Sequence, residues 1–270
     1  MNNLVIICAI LLLVLLFLKV PVYIAVLSAS AVYFIGTPGM NLSIFAQKTI
    51  SGAEGLSLLA IPFFVCAGIF MNYTGVTKRI MNCCEVLTAR MPGGLAQVNI
   101  LLSTLMGGLS GSSLADAAMQ CKMLVPTMES KGYSKSFSTV ITAASGMVVP
   151  LIPPGVGLII YGCINNISIG KLFIAGIGPG IVLCVTLMIF THFLSKKRGY
   201  LPSRTTKIPV SEKIAAVKPA FLPLLLPIII IGGVRIGIFT ASEAGTVAIV
   251  YAVLLGLLYK ELTLKNVMQG

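Results

Sequence analysis

Two stretches that interrupt apolar sequence carry the residues best suited to chemistry. The first is the Ser/Gly stretch 107–113, and the second is the Pro/Gly stretch 145–155. Serine supplies a hydroxyl and proline frees a carbonyl, so both stretches offer hard oxygen ligands that suit Na⁺ better than a transition metal. We therefore predict one sodium site between them. Its candidate ligands are Ser110, Gly111, Ser112, Ser113, Asp116, Ser145, Gly146, Pro150 and Pro153.

A second interpretation of these stretches stays open. Serine and glycine also let transmembrane helices pack closely, and that alone would explain a single cluster. Two neighbouring breaks favour an ion site, because non-helical backbone at membrane depth is tolerated where protein or water satisfies it. Asp116, the only aspartate, is a functional candidate at such depth. Its spacing from Ser113 also fits a capping box, and both interpretations of Asp116 remain open.

Composition indicates the class of protein that carries these stretches. Hydrophobic residues make up 57% of the chain, charged residues 10%, and the mean hydropathy is +1.02. Because the apolar runs are continuous, we predict an all-α polytopic membrane protein. The net charge of +12 is interpreted as basic cytoplasmic loops beside an anionic lipid bilayer, with no nucleic-acid partner. Since no nucleophile, base or metal cluster is visible, we expect no enzyme activity and no cofactor.

The apolar runs predict how the chain is organised. The stretch 93–127 has two halves of roughly 15 residues, or about 22 Å of helix each, which is shorter than a hydrocarbon core of about 30 Å. A re-entrant hairpin is therefore favoured over one crossing, and 136–164 is predicted to be a broken helix. The remaining predictions are spans at 2–18, 20–36, 56–74, 172–195, 219–237 and 243–259, a polar connection at 37–55 and a surface helix at 75–92.

The basic residues support the hairpin. With the basic stretch 196–218 in the cytoplasm, a re-entrant 93–127 places Lys78, Arg79 and Arg90 on the same side. A single crossing would place these three residues outside. Near the end of the chain, Thr240 and Glu243 have capping-box spacing, which favours a structural role for Glu243 over a proton-carrying one.

The motifs also resemble a known family. The chain has GGLAQVN at 93–99, GGLSGSSLADAA at 107–118, TAAS at 142–145 followed by PLIPP at 150–154, IPFF at 61–64, and the segment 237–252. Together these resemble the large membrane subunit (DctM-like) of tripartite ATP-independent periplasmic (TRAP) transporters. The resemblance extends along nearly the whole chain.

The resemblance implies sodium-coupled import of an organic acid, such as a C4-dicarboxylate or a sialic acid, across the bacterial inner membrane. It implies two partners, which are a periplasmic substrate-binding protein and a small membrane subunit. It also implies an elevator-type fold, with scaffold helices and an interfacial arm at 1–92, a transport-domain repeat at 93–195, a basic cytoplasmic connection at 196–218 and the start of a second repeat at 219–270. The sodium-site pattern of the family then falls on the 110–113 tip and the 145–154 break.

Family members are longer and contain two inverted repeats, so we expect this chain to be a truncated product or one part of a split protein. Two alternative functions stay open. One is a dicarboxylate or citrate symporter that needs no binding protein, and the other is a membrane scaffold that does not transport.

Overall fold

The computed structural model describes residues 2–204, 206 and 208–261, and the regular structure in these residues is helical. Short connections join successive helices, and two of the helix pairs are bent at their junction. The α-helices are α1 Asn2–Phe17, α2 Val22–Gly36, α3 Leu42–Ala53, α4 Ala60–Tyr73, α5 Val76–Thr88, α6 Gly94–Ser110, α7 Ser113–Ser130, α8 Lys135–Gly146, α9 Val156–Asn165, α10 Ile169–Lys197, α11 Val210–Ile236 and α12 Ala241–Leu258.

The described residues divide into two compact units at residues 55 and 56. In the first unit α2 packs against α1 and α3. The predicted connection 37–55 was wrong in part, because it contains α3. Asn41 begins this helix by accepting a hydrogen bond from the Ile44 amide at 2.9 Å, which is a strong local start signal. The helix has no continuous apolar run, because several residues of 42–53 are polar.

The second unit contains the core that holds the candidate site. Helices α4 and α12 pack closely together, and α5 packs against both α6 and α11. Phe64, Met71 and Ile230 are among the fully buried side chains of this core. Gly245 faces α4, where an added Cβ would lie 2.7 Å from the Cβ of Phe63. The small residue therefore sets how closely α12 approaches α4.

Helix length and composition are consistent with a polytopic membrane protein. Among the described residues, α10, α11 and α12 are each long and apolar enough to cross a membrane. Two further candidates are bent pairs, α4 with α5 at 71° and the segment from α8 to α9 at 41°. The basic stretch 196–218 is not a loop throughout, because α11 begins at Val210. Residues 210–218 contain good helix formers such as Ala and Lys, which extend the helix beyond the apolar span.

Helices α6 and α7 form a helical hairpin. Only Gly111 and Ser112 separate them. Gln120 Nε2 donates a hydrogen bond to Ser103 Oγ at 2.7 Å, and these residues lie seven positions from the facing ends of their helices. The chain therefore doubles back on itself. The re-entrant placement of this hairpin in a membrane stays a prediction.

Candidate cation site at the hairpin tip and the helix break

The hairpin tip is shaped by two residues with different backbone conformations. Gly111 ends α6 with a φ of 61°, a left-handed conformation that glycine adopts without a Cβ clash. Ser112 follows in an extended conformation, and its hydroxyl accepts a hydrogen bond from the Ala115 amide at 3.4 Å. Ser112 therefore caps α7. The predicted capping box of Ser113 and Asp116 is wrong, because the reversal at Gly111 moves the cap one residue earlier.

The break after α8 arises from its prolines. Helix α8 ends at Gly146, a short turn follows at Val149–Leu151, and α9 begins at Val156. Pro153 and Pro154 lack amide hydrogens, so a continuous helix through this stretch would lose hydrogen bonds. The break leaves several carbonyl groups outside regular structure. Two of them, those of Pro150 and Pro154, lie close to the glycines Gly155 and Gly111 respectively.

The tip and the break are in direct contact. The Val156 amide donates a hydrogen bond to the Gly111 carbonyl at 3.3 Å. An added Cβ on Gly107 would lie 3.0 Å from Val149 Cα, and one on Gly108 would lie 3.4 Å from the Pro153 carbonyl oxygen. The glycines of the tip thus allow the backbone of the break to approach closely.

Asp116 brings a carboxylate to the tip. Its side chain is buried, with 2% of its surface exposed. Ser110 Oγ donates a hydrogen bond to Asp116 Oδ1 at 3.2 Å, whereas Asp116 Oδ2 has no hydrogen-bond partner in the part of the chain that the structure describes. Burying a charged carboxylate without compensation is costly. A proton or a cation beside the free oxygen would compensate this burial.

Ser145 belongs to a buried polar network below the tip. Its hydroxyl donates to Asn99 Oδ1 at 2.8 Å and lies 2.9 Å from Ser103 Oγ. Asn99 Nδ2 donates to Thr142 Oγ1, and Gln120 Nε2 donates to Ser103 Oγ, each at 2.7 Å. All five side chains are buried. The network therefore joins α6, α7 and α8 through side-chain hydrogen bonds, and among the described residues Gln120 Oε1 has no partner.

Ser103 and Gln120 belong to this network but were not among the predicted site residues. A signal was present, because Asn99 and Ser103 lie one helical turn apart, as do Asp116 and Gln120. Polar residues spaced by four positions share one helix face. That signal shows that a polar face exists, but it does not show which helix the face meets.

The other predicted ligands lie around the same place. Ser113 and Gly146 face each other, since an added Cβ on Gly146 would lie 3.7 Å from the Ser113 carbonyl oxygen. Pro150 and Pro153 supply carbonyl oxygens within the break. The tip thus carries hydroxyl oxygens and one carboxylate and contacts a break that offers backbone carbonyls, whereas the Ser145 hydroxyl is bonded to Asn99 and Ser103 further down the hairpin. These are the ligand types that hard cations prefer.

A polytopic helical protein whose hairpin tip meets a broken helix has the features of a membrane permease, because non-helical backbone at membrane depth serves binding. Sequence comparison gives the particular family. Residues 9–270 match the family described as "Tripartite ATP-independent periplasmic transporter, DctM component". The chain belongs to this family, which confirms the resemblance seen in its motifs.

Curated relatives match most of this chain over part of their own length. The sialic acid TRAP transporter large permease protein SiaM of Vibrio cholerae is 41% identical over 253 residues, which cover 93% of this chain and 59% of SiaM. The 2,3-diketo-L-gulonate permease YiaN of Escherichia coli is 40% identical, with coverage of 90% and 57%. The ectoine permease TeaC of Halomonas elongata is 37% identical, with coverage of 89% and 56%.

The chain therefore spans somewhat more than half the length of these relatives. The three are named as transporter permeases rather than enzymes, which agrees with the prediction of a protein without enzyme activity. A multi-pass membrane protein is likewise consistent with the family and with the apolar helices.

Proposed function

We propose that this chain supplies the first hairpin and the first broken helix of a TRAP transporter, which imports an organic acid into a bacterium by coupling it to Na⁺. A periplasmic binding protein delivers the acid, and a small membrane subunit braces the permease in the inner membrane. The observation that carries the proposal is the contact between the hairpin tip and the helix break, through the Val156 amide and the Gly111 carbonyl.

Sodium is the proposed coupling ion because of the ligand chemistry at this contact. Hydroxyl and carbonyl oxygens bind hard cations without the nitrogen or sulfur ligands that transition metals favour. The free Oδ2 of Asp116 provides negative charge one turn from the tip. A cation there would compensate the buried carboxylate, and an empty site would leave it uncompensated.

An elevator mechanism requires that the hairpin and the broken helix move together. The network of Asn99, Ser103, Gln120, Thr142 and Ser145 links α6, α7 and α8 through buried hydrogen bonds. Breaking these bonds inside a membrane protein would leave several polar groups unpaired, which is unfavourable. We therefore infer that these three helices keep their arrangement during transport, while the position of the group changes.

The proposed substrate class is a carboxylate. Two relatives are named for sialic acid and for 2,3-diketo-L-gulonate, both of which carry a carboxylate group. The site in this chain offers small polar groups with little selectivity among such acids. The identity of the acid is therefore left to the remainder of the transporter and to the binding protein.

Sodium binding can be tested with Asp116→Asn. The purified chain is titrated with Na⁺ or K⁺, and binding is followed by isothermal calorimetry. We expect Na⁺ to bind more tightly than K⁺, and we expect the substitution to weaken Na⁺ binding about tenfold or more, since a buried charge partner contributes more than about 1.4 kcal/mol. The control is Glu129→Gln, which removes an exposed carboxylate from the far end of α7 and should leave binding unchanged.

Equal binding of Na⁺ and K⁺, or unchanged binding in Asp116→Asn, would contradict the proposed site. Transport itself is tested by uptake into proteoliposomes that hold the full-length permease with its small subunit. Uptake that continues without a binding protein would favour the symporter alternative. Assembly with the small subunit without any sodium flux would favour the scaffold alternative.

A further inference from the structure

A shallow groove between the start of α6 and the end of α10 lies away from the candidate cation site. Its volume is about 350 Å³, and we call it the α6–α10 groove; its lining residues are Met91, Gln97, Met188, Ile189, His192 and Phe193. Three of these side chains are apolar and strongly exposed, with Met91 at 38%, Ile189 at 53% and Phe193 at 66%. Apolar surface of this kind is expected to contact either lipid or another protein.

The walls of the groove are held together by specific contacts. Gln97 Nε2 donates a hydrogen bond to the Met188 carbonyl at 2.9 Å, which joins α6 to α10. Gly93 lies directly against the Ser195 side chain, so a Cβ at this position would overlap it. The groove is therefore preformed and does not depend on an occupant to open it.

The rim of the groove is basic. Arg90 directly precedes the lining residue Met91, and Lys196 lies one helical turn after His192, about 6 Å further along α10. Both basic residues are exposed, and in the described part of the chain the ion pairs are Arg79 with Glu261 and Arg204 with Glu212. Arg90 and Lys196 thus have no carboxylate partner among the described residues.

A crossing by α10 would place the rim at the depth of a membrane surface. Helix α10 is long and apolar enough to cross a membrane, and its last turn carries Lys196 and Lys197. Basic residues in this position meet the headgroup region, while the preceding turns meet acyl chains. The groove therefore presents an apolar wall to the chains and two unpaired cations to the headgroups of the same leaflet.

We propose that the α6–α10 groove binds one phospholipid with an anionic headgroup. Its acyl chain packs against Met91, Ile189 and Phe193, and its phosphate lies between Arg90 and Lys196. Charge complementarity favours this occupant over a neutral apolar helix, which would leave both cations unpaired at the rim.

Native mass spectrometry of the purified chain in detergent tests the proposal. Phosphatidylglycerol and the zwitterionic phosphatidylethanolamine are added in equal amounts, and bound lipids are counted. We expect one phosphatidylglycerol to bind about tenfold more tightly than phosphatidylethanolamine. The double substitution Arg90→Gln with Lys196→Gln should reduce that preference to within about twofold.

Two controls separate a defined site from general attraction of anionic lipid. Lys213→Gln with Lys218→Gln removes the same charge from exposed positions on α11 and should leave the preference unchanged. Ile189→Trp, which fills the groove, should displace the lipid, whereas Ile181→Trp at an exposed position two turns earlier on α10 should not.

The proposal is overturned if the two lipids bind equally, or if the α11 control lowers the preference as much as the rim substitutions do. Retention of the lipid in Ile189→Trp would also overturn it. Any of these results would assign the groove to another occupant, such as a membrane helix of a partner. Circular dichroism of each variant shows that the helices are intact before lipid binding is compared.

Discussion

At the scale of single residues, Gly111 joins the two halves of the candidate site. Its left-handed φ of 61° reverses the chain, and its carbonyl accepts the hydrogen bond from the break at 3.3 Å. An added Cβ would meet the carbonyl oxygen of Pro154. The residue therefore serves both the turn and the contact, and the two contributions can be separated by experiment.

We predict that Gly111→Ala destabilises the protein more than Gly132→Ala. Gly132 also has a positive φ, of 86°, but its added Cβ would have nothing within 4 Å. Both variants carry the left-handed penalty of about 1–2 kcal/mol, and only Gly111→Ala adds an overlap, which costs about 1–3 kcal/mol more. The difference in melting temperature is measured by circular dichroism, because a chain without tryptophan has no tryptophan fluorescence to follow. Equal melting temperatures would contradict close packing at the tip.

The polar network makes a second prediction at this scale. Gln120→Leu leaves the Ser103 hydroxyl without its donor, so we expect a loss of about 1–3 kcal/mol. Because Ser103 and Gln120 are in contact at 2.7 Å, adding Ser103→Ala should cost less in the Gln120→Leu background than in the wild type. A coupling energy of about 0.5–3 kcal/mol is expected from a double-mutant cycle. Strict additivity would show that the bond contributes nothing to stability.

The backbone effects of glycine and proline near the chain reversal were predictable from the sequence. The hydrogen-bond partners of the buried polar side chains were not. Gly111 and the prolines of 150–154 have local backbone effects that any environment preserves. Gln120 has no such local effect. Its role depends on facing Ser103 across the hairpin, and a distance of 17 positions in the sequence does not fix that contact.

At the scale of helices, the residues at helix ends were the most predictable from the sequence. The capping box predicted at Thr240 and Glu243 is confirmed, with the Thr240 amide donating to Glu243 Oε2 at 2.7 Å. Helix α1 ends at Phe17 and α2 begins at Val22. The break between them contains Lys19 and Pro21, as expected. Helix α3 was not predicted, because its polar side chains interrupt the apolar pattern that indicates a membrane helix.

The packing of α12 on α4 gives a prediction for this scale. We expect Gly245→Ala to destabilise the protein by about 1–3 kcal/mol, because its Cβ would lie 2.7 Å from the Cβ of Phe63. The matched control is Gly232→Ala in α11, where an added Cβ meets nothing within 4 Å. The control should be neutral or stabilising by about 0.5–1 kcal/mol, since alanine favours a helix. Melting temperatures that shift in the same direction would contradict the close approach of these helices.

At the scale of the whole molecule, the predicted re-entrant placement of the hairpin would put the loops before and after it on the same side of the membrane. The short halves of 93–127 and the distribution of basic residues both favoured this arrangement, and the hairpin of α6 and α7 has the connectivity that it requires. The helix lengths are compatible with either a re-entrant hairpin or full crossings, because α6 has 17 residues and α7 has 18. Such lengths lie at the lower end of the range for a single crossing.

We predict that Lys78→Cys and Lys213→Cys react with a membrane-impermeant thiol reagent from the same side, and that Lys171→Cys reacts from the opposite side. The seven native cysteines are first replaced by alanine, and labelling is compared in right-side-out and inside-out vesicles. A single crossing by the hairpin segment would instead place the first two on opposite sides. The unmodified cysteine-free chain is the control for background labelling.

The glycines at the hairpin tip also limit which substitutions the protein tolerates during evolution. At positions 107, 108 and 111 a single added carbon would press on Val149, on Pro227 and on Pro154 respectively. A change at 107 or 111 would therefore need a matching change in the break, and a change at 108 would need one in α11. Positions 157, 178 and 232 have open space around the same atom. Neutral drift is free to replace those glycines one at a time.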